Sequence, residues 1–180
     1  MKNDNAHALR LHAAIAHVVN TEAADAVAAR FPLGKSANVG RKAAWASDVC
    51  HYLEEAYDGD TVREIRQICC CSDGASAAKR MRACLKKAGN IREFVDLHNR
   101  TDKTGVWLEY VDEKQLILCY PECFCSCVKR SSAPAPKSWC LCSAGYAKRL
   151  FEQVFDSDVR AELLQSVKTG GAQCRIRVTW

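Results

Sequence analysis

The sequence lacks any long hydrophobic run. Nowhere do about 18 apolar residues follow one another, so no segment is expected to span a membrane. The N-terminal stretch also lacks the unbroken apolar region of a signal peptide, because Arg10, Glu22 and Asp25 interrupt it. We therefore expect a cytoplasmic protein, in which thiols stay reduced.

A strong excess of charge of one sign is also missing. Twenty-six Lys and Arg against 21 Asp and Glu give a net charge of +5. The positive charge is densest in "KRMRACLKKAGNIR", residues 79–92, which contains no acid. A nucleic-acid footprint would have this composition, but Met81, Leu85 and Ala88 form an apolar stripe that indicates the solvated face of an amphipathic helix. No nucleic-acid partner is expected.

The stretch "GKS", residues 34–36, lacks the context of a phosphate-binding P-loop. Ala29 stands where the pattern needs its first glycine, and a helix rather than a strand is predicted before it. We therefore reject nucleotide binding through this segment.

Cysteine, in contrast, is abundant, with 12 among 180 residues. In a reducing compartment, clusters of cysteine indicate metal or redox sites rather than disulfides. Cys69, Cys70 and Cys71 lie at the end of a predicted helix. Successive side chains on a helix point about 100° apart, so at most two of these thiols can take part in one site. Five more lie in "YPECFCSCVKRSSAPAPKSWCLC", residues 120–142. For these a metal site, a redox site and plain packing all stay open.

The hydrophobic period changes near residue 100. Before it, apolar residues recur at helical spacing; after it, "GVWLEYV" and "QLILCY" flank "DEK" and predict a β-hairpin. The final "CRIRVTW" alternates as a strand with one buried face. We predict an α+β fold, with N-terminal helices followed by an antiparallel sheet and a packed C-terminal helix that begins at Ser143. A helical part, 1–100, and a sheet part, 101–180, are expected to share one core.

The cysteine segment sets a geometric condition on metal binding. In an extended strand Cys123, Cys125 and Cys127 share a face with β-carbons roughly 7 Å apart, too far for one tetrahedral zinc unless the chain turns. Cys140 and Cys142 lie near the start of the next predicted helix. A helix N-terminus lowers the pKa of a thiol, so we expect a thiolate there.

The segment "WCLCSAGYAKRLFEQVFDSDVRAELLQSVKTGGAQCRIRV", residues 139–178, resembles the 4-vinyl-reductase-like small-molecule-binding domain. That domain shares its fold with nitric-oxide-signalling and Golgi-transport ligand-binding proteins. Cys142, Gly145-Tyr146, Glu162, Gly170-Gly171 and Cys174 occur here in the order of its signature. The sequence of this segment is also similar to cysteine-rich families that are grouped with the L-2-amino-thiazoline-4-carboxylic acid hydrolases.

The resemblance implies a sheet enclosing a small-ligand pocket and, as in zinc-bearing relatives, a metal held by cysteines. Cys142 and Cys174 are the best-matched ligands. Ser166 stands where relatives often have another cysteine, so Cys123, Cys125, Cys127 or Cys140 would complete the set. An iron–sulfur cluster is the alternative cofactor.

We accordingly predict a small-molecule-binding, sensor-type protein with a structural zinc ion, and leave a homodimer open. The alternative is a thiol-dependent hydrolase or redox enzyme, with Cys142 as nucleophile and Glu162 or His98 as base. The predicted pocket consists of five aromatic residues and one acid: Trp107, Tyr110, Tyr120, Trp139, Tyr146 and Glu162.

Overall fold

The computed structural model describes residues 3–180, in which helices come first and the sheet follows. The helices before the sheet are α1 (Ala6–Val18), α2 (Thr21–Arg30), α3 (Val39–Ala56), α4 (Gly59–Ile68), α5 (Ala75–Leu85) and α6 (Ile91–Thr101). After them come β1 (Trp107–Asp112), β2 (Gln115–Tyr120), α7 (Lys137–Cys140), α8 (Cys142–Phe155), β3 (Arg160–Gln165) and β4 (Cys174–Thr179). The predicted α+β class is confirmed.

Side-chain caps fix where several helices begin. Asn20 accepts a hydrogen bond from the backbone N–H of Ala23 at 2.8 Å, and Asn90 accepts one from Glu93 at 2.9 Å. Such a cap satisfies a donor that the helix itself cannot, and its loss typically costs about 1 kcal/mol.

The sheet has four antiparallel strands in the order β1-β2-β4-β3. β1 and β2 form the predicted hairpin, with Asp112 paired to Gln115 at its tight end. In β4, Cys174, Ile176 and Val178 are buried, whereas the residues that alternate with them are partly or fully exposed. The predicted two-residue alternation is therefore confirmed.

The chain divides into two compact units, each built from two stretches of sequence. The first unit comprises the residues up to Cys71 together with Phe124–Cys142, and the second comprises Ser72–Cys123 together with Ser143–Trp180. The units thus interleave along the chain. All helices from α1 to α4, with α7, belong to the first unit, and the whole sheet belongs to the second.

The second unit is filled by aliphatic side chains from the sheet and by aromatic rings. Leu116, Leu118 and Ile176 are completely buried. Phe155 of α8 stacks on Trp180, which follows β4, with ring centroids 3.9 Å apart. These contacts hold α8 and the end of β4 in one hydrophobic core.

Three local features shape the chain after β2. The chain turns after Cys125, because the backbone N–H groups of Val128 and Lys129 both donate to the Cys125 carbonyl, so Cys123, Cys125 and Cys127 do not lie in one extended strand. α8 begins at Cys142, one residue before the predicted start. β3 ends at Gln165, and a 3-10 helix begins at Val167.

No helix formed by residues 3–180 is both long enough and apolar enough to cross a bilayer.

Candidate functional site

A buried arginine lies at the centre of the first unit. Arg66 on α4 is only 2% exposed, and its Nη2 donates a hydrogen bond to the Trp139 carbonyl oxygen at 3.0 Å. The guanidinium carbon also lies 4.1 Å from the centroid of the Trp139 ring, so the charge rests on the π face. We call Arg66, Trp139 and the thiols around them the Arg66 site.

The amphipathic pattern of α4 explains why an arginine lies inside. Val62, Ile65 and Cys69 recur at helical spacing and are buried, and Arg66 falls within the same stripe. α4 packs against α1, α3 and α7, so the stripe faces protein on several sides. α7 follows the loop with two prolines, and the backbone N–H of Trp139 donates to the Pro136 carbonyl at 3.0 Å. The short helix thereby presents Trp139 to Arg66.

Arg66 has no acidic partner in the part of the chain that the structure describes. None of the ion pairs within residues 3–180 involves it, and its Nε is buried without a hydrogen-bond acceptor. Leaving a charge buried and uncompensated costs several kcal/mol. This interior therefore contains a cation but not the anion that would neutralise it.

Trp139 contributes a second unused donor. Its Nε1–H is also buried and finds no acceptor among the described residues. Trp45, whose ring meets that of Trp139 edge to face, differs in this respect because its Nε1–H donates to the Phe31 carbonyl at 2.8 Å. The Arg66 site thus has donors in excess of acceptors.

Thiols surround the guanidinium. Burial acts to lower the pKa of Arg66, but the negative charge that Cys69, Cys142, Cys50 and Cys125 carry once they ionise acts to raise it, and the net direction is upward. The side chain is therefore charged at neutral pH.

Three of the nearby thiols, those of Cys142, Cys50 and Cys127, are protonated at neutral pH. Burial raises the pKa of Cys142 and of Cys50, although Arg66 opposes the shift in both, and burial raises the pKa of Cys127 to about 12. The expectation of a low pKa for Cys142 at its helix N-terminus is wrong, because burial outweighs the helix end and the nearby cation. Neutral thiols cannot balance the charge of Arg66.

Two more cations lie near one edge of this cluster. Burial and then the charges of Arg10, Lys42 and Arg66 lower the pKa of His7 to about 4, so its imidazole is neutral. Because Arg10 can only donate, His7 Nδ1 accepts from Arg10 Nη2 at 3.0 Å, and Nε2–H donates to Ser126 Oγ at 3.1 Å. Arg10, Lys42 and Arg66 thus all bear on this edge of the cluster as cations.

The predicted metal ligands fall in both units. Cys125, Cys127, Cys140 and Cys142 belong to the first unit, and Cys123 and Cys174 to the second. Cys174 is buried on β4, where its sulfur accepts the Val167 N–H at 3.4 Å. No three His, Cys, Asp or Glu side chains within residues 3–180 come together as a metal ion would require. A zinc site on these cysteines stays a prediction.

The predicted pocket residues are similarly dispersed. Trp139 belongs to the Arg66 site and Tyr120 is buried, whereas Trp107, Tyr110 and Tyr146 are partly exposed in the second unit. Glu162 is exposed and pairs with Arg177 at 3.1 Å. A pocket between α8 and the sheet therefore also stays a prediction.

The sheet carries a polar group that the sequence did not indicate. Cys119 Sγ donates to Glu109 Oε1 at 3.3 Å, and Glu109 also forms an ion pair with Arg175. Burial, followed by the hydrogen bond to Glu109, raises the pKa of Cys119 to about 12. This group braces three neighbouring strands and is fully neutralised, in contrast to the Arg66 site.

Fold and site together define an α+β protein with a thiol-lined, uncompensated guanidinium in its helical unit. The chain belongs to a family of unknown function (DUF6144), whose profile matches residues 6–180. No curated protein matches the chain significantly.

Among solved structures, the chain is similar to an H-NOX protein from S. oneidensis in the Fe(II)NO state, with 14% identity, 97% of each chain covered and a TM-score of 0.43. An H-NOX domain from Shewanella oneidensis in the Fe(II)CO state is similar as well, with 13% identity. The match covers 99% of this chain and 98% of that chain, with a TM-score of 0.44. The chain is also similar to the phenol-responsive sensory domain of the transcription activator PoxR, with 13% identity. The match covers 77% of this chain and 73% of that domain's chain, with a TM-score of 0.41. These values describe a distant likeness only.

Proposed function

We propose that the protein binds a small molecule, as a sensor-type protein does, and that the Arg66 site holds the ligand. The observation that carries this proposal is a guanidinium 2% exposed, with a buried Nε that has no acceptor and no acid within residues 3–180 paired to it. Binding a partner there would relieve the cost of the buried charge, which gives the site a physical reason to favour an occupied state.

The walls of the site also suit ligand binding. Trp139 covers one face of the guanidinium, and neutral thiols such as Cys142 and Cys50 surround it as small, polarizable, weakly polar groups. An apolar wall with a few unused donors is the composition typical of small-molecule sites.

A structural zinc ion is a second, separate proposal. It is supported by four cysteines, at 125, 127, 140 and 142, that occur in the same unit. Because no three ligands converge within residues 3–180, zinc binding would require the segment 123–127 to rearrange and the thiols to lose protons. Elemental analysis of protein purified without chelators tests it: one zinc per chain supports the proposal, and a metal-free protein contradicts it.

The hydrolase alternative lacks a supporting observation. A cysteine nucleophile needs a thiolate, whereas burial raises the pKa of Cys142. Glu162 is exposed and paired with Arg177, and burial lowers the pKa of His98. The groups that bear on Cys142 electrostatically are Arg66 and other thiols, not a general base.

Ligand binding can be tested with Arg66→Met and a control on the same helix. Arg63 lies on α4 with its side chain 56% exposed, so Arg63→Met removes a charge without touching the Arg66 site. Freshly purified wild type is denatured, and released small molecules are quantified by mass spectrometry. We expect a stoichiometric compound in wild type and Arg63→Met but not in Arg66→Met. Equal retention by Arg66→Met, or no compound in any protein, contradicts the proposal.

A further inference from the structure

Two of the unused buried polar atoms of the Arg66 site can only donate hydrogen bonds. Arg66 Nε–H and Trp139 Nε1–H are both buried without acceptors in the described chain, and they lie on side chains that stack at 4.1 Å. Neither group can accept a hydrogen bond, so only an acceptor can satisfy them. The missing partner must therefore bring acceptor atoms into the site.

The charge of the site limits the partner further. Arg10 and Lys42 are partly exposed at the edge of the site, whereas Arg66 is fully buried in it. Burial keeps Cys142 and Cys127 protonated, so one buried positive charge is left to balance. A dianion such as a phosphate monoester would place a second charge among thiols and an indole, which is costly. A single negative charge shared over two oxygens matches a guanidinium fork.

We propose that the ligand bound at Arg66 is a small organic carboxylate, whose oxygens accept hydrogen bonds from the guanidinium, with the Trp139 indole N–H as the adjacent second donor. This inference rests on the proposed function, because it names the class of ligand that the same site takes. A macromolecular carboxylate does not fit a guanidinium that is only 2% exposed.

Matched pairs of carboxylate and amide test the charge without any mutation. Acetate is compared with acetamide, and benzoate with benzamide, at equal ionic strength with sodium chloride as the salt control. The readouts are the melting temperature of the wild type and titration calorimetry at pH 7. We expect at least one carboxylate of these pairs to bind and raise the melting temperature, and its amide to bind at least roughly tenfold more weakly. Inorganic phosphate should stabilise the protein less than that carboxylate.

The same titrations with variants locate the binding. Arg63→Met should keep the response to the carboxylate, and Arg66→Met should lose it. If Arg66→Met does not fold, Arg66→Lys keeps the charge but not the planar fork and should bind the carboxylate at least roughly tenfold more weakly.

Several results would overturn the inference. These are equal binding of acid and amide, a stronger effect of phosphate, no binding of either carboxylate, or a carboxylate effect that survives Arg66→Met. The proposed function fails separately. If a neutral compound co-purifies with wild type and is lost from Arg66→Met, ligand binding stands and only the carboxylate is wrong.

Discussion

Arg66 and Trp139 meet in two ways. Arg66 Nη2 donates to the Trp139 carbonyl at 3.0 Å, and the Trp139 ring covers the guanidinium at 4.1 Å. One residue thus supplies both an acceptor and an aromatic face, while its own indole N–H is unused. The arrangement positions the cation firmly but neutralises none of its charge.

The unused indole N–H leads to a prediction about two tryptophans. Trp139→Phe and Trp45→Phe remove similar volume from the first unit. Trp139→Phe deletes no hydrogen bond in the ligand-free protein, whereas Trp45→Phe leaves the Phe31 carbonyl without its donor. We expect Trp45→Phe to be the more destabilising by about 1–3 kcal/mol in urea unfolding. A larger loss for Trp139→Phe would show that its N–H has an acceptor in solution.

A second prediction concerns two glycines that precede or begin helices. Gly74 has φ +76° and an added Cβ would lie 3.2 Å from Leu150 Cβ, whereas a Cβ on Gly59 meets nothing within 4 Å. Gly74→Ala should destabilise the protein by roughly 1–2 kcal/mol, because the left-handed backbone disfavours a side chain. Gly59→Ala should stabilise it by about 0.4–1 kcal/mol through the unfolded chain. Thermal and urea unfolding measure both, and a neutral Gly74→Ala would contradict the backbone conformation.

The sheet network predicts a different result for two glutamates. Glu109 pairs with Arg175 and accepts from Cys119, whereas Glu162 pairs with Arg177 on an exposed surface. Glu109→Gln should cost about 1–2 kcal/mol of unfolding free energy and move the pKa of Cys119 down toward its usual value. Glu162→Gln should change stability by no more than about 0.5 kcal/mol. Thiolate absorbance during an alkaline titration follows Cys119, and equal curves for both variants would exclude the proposed coupling.

Stability at alkaline pH should depend on the same thiol. Cys119 has a pKa of about 12 in the folded protein against an ordinary 9.0. Above pH 9 the unfolded chain releases this proton and the folded protein keeps it, so the stabilisation is full below pH 9 and declines from there toward pH 12.

The Cys119→Ala variant isolates this contribution. Between pH 9 and 11, the unfolding free energy of Cys119→Ala should fall less steeply than that of wild type, by up to one proton per molecule. Parallel pH profiles for the two proteins would mean that the folded thiol titrates normally. Exposed Cys71→Ala serves as the control and should leave the profile unchanged.

Local patterns in the sequence were sufficient to predict the hairpin and the alternation of β4. Each depends on neighbours within a few residues, such as Cys174 with Ile176. The Arg66 site is different, because 73 positions separate Arg66 from Trp139 and no local pattern links them. The one signal was a charged residue inside the apolar stripe of α4, between Ile65 and Cys69.

The pKa values of the thiols also could not be predicted from the spacing of the cysteines along the chain. A helix N-terminus predicted an acidic Cys142, but the pKa depends on tertiary burial, which the sequence does not show. Likewise, Cys174 and Cys142 match one signature in sequence, yet they belong to different units. Spacing predicts which cysteines are near along the chain, whereas the fold decides their surroundings.

Arg66 is a buried cation without a counter-ion among residues 3–180 in the ligand-free protein. Urea unfolding of extensively dialysed wild type, Arg66→Met and Arg63→Met measures what this uncompensated charge costs in stability. Because an apolar side chain of similar length removes an uncompensated charge, Arg66→Met should be as stable as wild type or more stable by about 1–4 kcal/mol, with Arg63→Met within about 0.5 kcal/mol of wild type. A loss of roughly 3 kcal/mol or more in Arg66→Met alone would show that the guanidinium already has its anion, and would contradict the account.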